Sequence, residues 1–152
     1  MPTWADFAAA SPALATEGRR LFLRDGHDGA FLVTVRGADG LPRIHPISIG
    51  VVDGHLYAFL LGSAKRTDLE LDGRYALHAH IDPAVPREFS VRGRARPVDD
   101  AATRSTVAAG WWFEPDETYR LFEFLVETAL LGERDTPDEW PPRYTTWSRD
   151  RA

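Results

Sequence analysis

The chain has 152 residues, 43% of them apolar and 27% charged, which suits one domain with a single buried core and neither disorder nor a coiled coil. Its formal net charge of −5 opposes non-specific binding to nucleic acid or anionic membrane, and the absence of cysteine removes disulfides, thiolate metal sites and cysteine nucleophiles. No apolar run approaches the roughly 18 residues of a membrane span and no signal-like segment opens the chain, so a cytoplasmic protein without a membrane or nucleic-acid partner is expected.

Thr3 followed by Asp6 makes a capping-box pattern, and Ser11 with Pro12 a second helix start. Leu14, Gly18, Leu21 and Phe22 then recur at helical spacing, so residues 1–29 read as a helical segment. The pattern changes at Phe31, where an apolar, β-branched run reaches Arg36; turn residues Gly37 to Gly40 follow, and Leu41 to Val52 is a second long run. Asp53-Gly54 is a hairpin signal, which folds His55 to Leu61 back as a third antiparallel strand.

A short helix is expected from Lys65 to Leu71. Arg74 to Ile81 is a fourth strand, with Tyr75, Leu77, Ala79 and Ile81 on one face and Ala76, His78 and His80 on the other. Glu88 to Val98 is a fifth, its Phe89, Val91, Gly93 and Ala95 alternating with Ser90, Arg92, Arg94 and Arg96, so that one face meets solvent or ligand. Asp99 or Asp100 caps a helix to about Ala109. Thr118 to Leu131 carries Leu121, Phe122, Leu125, Val126, Ala129 and Leu130 at helical spacing, which predicts a helical C-terminal segment over residues 99–142 before a last strand at Arg143 to Ser148.

These elements form one domain spanning 1–152. A six-stranded antiparallel sheet closes most economically into a small barrel flanked by helices, because closure leaves no unpaired edge. The early connections are too short for the crossover helices of a parallel sheet.

Lys65, the only lysine beside 17 arginines, lies in Gly62-Ser63-Ala64-Lys65-Arg66, where a strand-like run opens into a helix. Backbone N–H groups, the helix dipole and three donor side chains would suit an anion such as a phosphate there; two cations on a solvated helix face is the alternative. His78 and His80 have metal-compatible spacing but no third ligand nearby, and no metal site is expected. His45 reads first as a hydrogen-bonded structural residue of a strand, the commoner role, and second as part of a site. Trp111, Trp112 and Phe113 suit packing in a core or between subunits. Nucleophile elbow, Walker loop and dinucleotide fingerprint are absent.

Taken in order, Gly40-Leu41-Pro42-Arg43-Ile44-His45-Pro46, then Asp53-Gly54, Gly62-Ser63-Ala64-Lys65, Leu69, and Asp72-Gly73-Arg74-Tyr75-Ala76-Leu77 resemble the pyridoxamine 5′-phosphate oxidase-like family over residues 30–100. The resemblance implies a split β-barrel homodimer with flavin mononucleotide (FMN) at the subunit interface. It places Arg43, Ser63 and Lys65 at the flavin phosphate. Ala64 stands where relatives have an arginine, with Arg66 next to it as a substitute charge. Ala58 and Phe59 fall on the strand that contacts the flavin, and His45 and Ile47 would line one wall beside Arg43. Ser48 replaces a lysine of the oxidase proper, and the C-terminal arginine and histidine of that enzyme have no counterpart, so pyridoxine phosphate oxidation is not expected. The implied function is an FMN-binding oxidoreductase for a small organic substrate, the flavin supplying the redox chemistry and no catalytic side chain being assigned. Two alternatives are use of a deazaflavin coenzyme, and a non-catalytic module for flavin or haem.

Overall fold

The computed structural model describes residues 1–84 and 86–151. The N-terminal segment is two helices, α1 (Trp4–Ala10) and α2 (Pro12–Phe22). The Thr3–Asp6 capping box forms on both sides, and Pro12 occupies the first turn of α2, but Ser11 makes no side-chain cap. A two-residue strand, β1 (Leu23–Arg24), turns through Asp25 and Gly26, both at positive φ, into β2 (His27–Val35).

The long second run divides into β3 (Pro42–Ser48) and β4 (Gly50–Val52) around Ile49. Asp53 and Gly54 adopt φ of 49° and 78°, the geometry of the expected two-residue hairpin, and lead into β5 (His55–Leu60). Then follow α3 (Ala64–Leu71), β6 (Arg74–His78), β7 (Glu88–Pro97), α4 (Ala101–Ala109), β8 (Arg120–Glu133) and β9 (Arg143–Ser148).

All pairings are antiparallel. The sheet runs β1-β2-β6-β7-β8-β5-β4, with β3 also on β2 and β9 on β8. Because β3 and β4 are one run of chain interrupted at Ile49, that run lies along both ends of the ordered sheet, and the sheet curls toward closure. The six strands expected are present as β2, β3 with β4, β5, β6, β7 and β9; β1 and β8 were not expected.

One expectation fails. The segment read as a helix over Thr118 to Leu131 is the strand β8, and α4 is the only helix within 99–142 among the described residues. β8 is covered on both faces, so Leu121 through Val126 are all buried and the two-residue alternation disappears. A bulge near Glu127, opposite Arg92 and Gly93, then reverses which parity faces inward. Phe122, Phe124 and Val126 face the main core before it, Ala129 and Leu131 after it. The resulting Val126-to-Ala129 step has the spacing of a helix.

The core fills the barrel and one end of it. Trp4, Phe7, Phe22 and Phe89 interlock there, with ring centroids 5.1–6.4 Å apart, and Trp147 of β9 packs on Phe7. Each buried phenylalanine contributes about 1.5–3 kcal/mol of hydrophobic stabilisation. A smaller cluster of Tyr57, Phe59, Val107 and Leu121 lies on the other face of β5, beneath α4. These two cores leave the strip of β3 beside α3 to the site.

Candidate functional site

Pairing of β3 with β2 sets Arg43 across from Thr34, His45 across from Leu32 and Ile47 across from Ala30. Cross-strand partners share a face, so Arg43, His45 and Ile47 turn inward and are half-buried, while Pro42, Ile44 and Pro46 are exposed. His45 and Ile47 thus share a face of β3, as their alternation in the sequence suggests, and Arg43 lies on the same face.

Helix α3 crosses the same region. Its Asp68 is buried, and a buried carboxylate needs partners. It accepts hydrogen bonds from Thr34 Oγ1 at 2.8 Å and Arg43 Nε at 2.9 Å, with a longer contact from Arg43 Nη2 at 3.5 Å. The pairing fixes the guanidinium while leaving Arg43 about one-third exposed. Sequence reasoning missed Asp68, although its place one residue before the buried Leu69 on a short helix signals an inward-facing acid.

His45 and Lys65 complete the cluster. The Nε2 atom of His45 is buried without a hydrogen-bond partner. Desolvation, and then the charges of Lys65 and Arg43, hold the imidazole below its ordinary pKa, opposed only by Asp68. Lys65 is half-buried and forms neither an ion pair nor a hydrogen bond with the described residues. Ser63, the residue before α3, has extended backbone and makes no side-chain cap; its hydroxyl donates instead to the Leu61 carbonyl at 3.0 Å. The first N–H groups of α3 are therefore not capped by Ser63, and the positive end of the helix is open.

Two expected site residues lie elsewhere. Arg66 donates to Glu70 Oε1 at 3.1 Å, an oxygen that also accepts from Arg120 Nη1 at 2.8 Å, and to the Thr118 carbonyl at 3.2 Å, tying α3 to the approach to β8. Phe59 points to the opposite face of β5 from the core residue Ala58. It packs edge-on against Trp111 at 5.1 Å with the Arg104 guanidinium 5.1 Å above its ring. It is an aromatic of the smaller core and does not join Arg43, His45, Ser63 and Lys65.

At the other end of β3, Ile47 and Ser48 border a cleft of about 260 Å³ with Arg24, His27 and His80. It lies about 13 Å along the strand from Arg43, four residues away. His80 meets Phe31 edge-on at 4.3 Å, and His78 is bonded to the Ala79 carbonyl at 2.6 Å. Among the described residues no three His, Asp or Glu side chains gather in a metal-holding group. Trp112 is 54% exposed and stacks on His27 at 4.3 Å.

No protein-family model matches the chain, and no curated protein matches it at a significant level. Solved structures match its fold. A protein related to general stress protein 26 of the pyridoxinephosphate oxidase family, from Clostridium acetobutylicum, is 15% identical with a TM-score of 0.63, covering 90% of this chain and 94% of its own. A FAD-binding protein from Mesorhizobium loti is 20% identical with a TM-score of 0.60, covering 77% and 92%. A haem-binding protein from Mycobacterium smegmatis is 14% identical with a TM-score of 0.59; the match takes in 96% of this chain but only 59% of that longer one. The resemblance read from the β3-to-β6 motifs thus holds at the level of fold, and the chain is a split β-barrel with flanking helices, of the kind found in general stress protein 26 and pyridoxinephosphate oxidase-family structures.

Proposed function

We propose that this chain binds flavin mononucleotide, its phosphate at Arg43, Lys65 and the open start of α3, and acts as an oxidoreductase on a small organic substrate. The observation that carries the reading is an unmatched positive cluster. Lys65 has no acidic partner among the described residues, Arg43 is held in place by Asp68, and His45 Nε2 lacks any partner. Such an arrangement favours an incoming anion.

A bound flavin supplies the electron transfer itself. Asp68, itself held by Thr34, orients Arg43, Lys65 adds a second charge, and Ser63 offers a hydroxyl whose present acceptor is only a backbone carbonyl. Ile47 gives an apolar surface along β3 toward the adjoining cleft. A second copy of the chain is the proposed partner, covering this strand from outside, where Ile44 is 65% exposed.

Titration of the purified protein tests this directly. FMN should bind at least about tenfold more tightly than riboflavin, a difference of roughly 1.4 kcal/mol. Equal affinities would remove the phosphate site. A second reading, a haem-binding module, is favoured by the haem-binding neighbour of the same fold and by His27 and His80 at the cleft. The visible spectrum of protein purified from its native host separates flavin, deazaflavin and haem.

A further inference from the structure

The phosphate reading leaves His45 unexplained: a neutral imidazole beside two cations offers an anion a single N–H and no charge, whereas a protonated one adds a positive charge. Resting on that reading, we infer that the site takes a terminal phosphate monoester as its dianion and that His45, on the same face of β3 as Arg43, picks up a proton from solvent when the ligand binds, becoming a third cation.

The groups facing the ring are few. Arg43 lies two residues away on β3, while Lys65 and Asp68 approach from α3. Their formal charges sum to +1, which with burial keeps the imidazole neutral. Its Nε2 is enclosed and unsatisfied, an arrangement that costs free energy in the empty site. A dianion seated against Arg43 and Lys65 changes the local sum from +1 to −1. The field at His45 then reverses sign and favours imidazolium, which adds a third positive charge beside the phosphate. A singly charged phosphodiester brings the sum only to zero and gives the ring no comparable drive. The chemistry selected is therefore a phosphate monoester, the group that FMN carries and that an internal phosphodiester lacks.

Linkage gives the sign. If the ligand-bound site holds one more proton than the empty one, affinity falls as pH rises, by up to about tenfold per pH unit. A phosphate monoester is itself dianionic above its second pKa of about 6, so between pH 7 and 8.5 its own titration does not mask the effect. The experiment is calorimetric titration of the whole protein with FMN at pH 7.5 in buffers of different ionisation enthalpy, with riboflavin as the comparison ligand. The wild type should take up close to one proton per FMN and none per riboflavin. His45→Asn should bind FMN with no uptake and a flat pH dependence, while still preferring FMN to riboflavin through Lys65. FMN binding without proton uptake in the wild type, or equal uptake in His45→Asn, would overturn the role of His45 and leave the phosphate site standing. Failure of the wild type to distinguish FMN from riboflavin would instead overturn the phosphate site, and the proton-coupled step with it.

Discussion

Asp68 and Lys65 lie three residues apart on one helix and do opposite work. Asp68 is buried and spoken for by Thr34 and Arg43, whereas Lys65 is matched by no acid among the described residues. Lys65→Ala should therefore weaken FMN binding by about 1.5–3 kcal/mol, the range for a hydrogen bond to a charged group, and leave riboflavin binding unchanged. The unliganded protein should keep its stability to within about 0.5 kcal/mol, since Lys65 holds no hydrogen bond or ion pair with the described residues that the substitution would break. A large thermal shift with unaltered FMN affinity would make Lys65 structural. Asp68→Ala should behave in the contrary manner, losing about 1–3 kcal/mol of stability because Thr34 and Arg43 lose their acceptor. Denaturant melts of the unliganded variant would measure that loss. At this scale Arg43, His45, Ser63 and Lys65 were legible because strand alternation and a helix start are local patterns. Arg66 and Phe59 were not, since only the fold brings Thr118 near the first and Trp111 near the second.

Among the elements, α2 shows how closely a helix is fitted to the barrel. Gly18 faces Phe89, and a Cβ at that position would sit 2.3 Å from the ring. No positive φ is involved; the space is already filled. Gly18→Ala should cost about 1–3 kcal/mol through overpacking, offset in part by the gain of about 1 kcal/mol that glycine replacement brings to an unconstrained helix. A variant that melts higher than the parent would show that α2 can shift outward without penalty. Strand β8 carries the opposite lesson about sequence. Its neighbours on both sides, together with the bulge near Glu127, removed the period of two on which strand recognition rests. By contrast β7 has arginines at three of its outward positions and kept its alternation intact. Periodicity reports burial, and it identifies an element only where one face is wet.

For the whole molecule, the pairings of β2 with β3 and of β4 with β5 followed from turn chemistry and short connections; the return of β6 to β2, the pairing of β5 with β8 and the division of the second run at Ile49 did not. Ile49 is buried, and its N–H donates to the Asp28 carbonyl at 3.1 Å, a contact between segments 21 residues apart that no local pattern announces. Assembly is the property most open to test. A dimer should appear by light scattering at micromolar concentration, with the exposed Ile44, Leu41 and Trp112 as the apolar surface that it covers. A monomer that binds FMN stoichiometrically would mean that one chain completes the site unaided. The run from β3 through Ile49 into β4 has a further consequence. Its first half is zipped to β2 and its second to β5, so a single seam fastens both margins of the curled sheet. Amides of β3 and β4 should accordingly exchange with deuterium in one concerted event, as two sides of a collar opened at the same clasp.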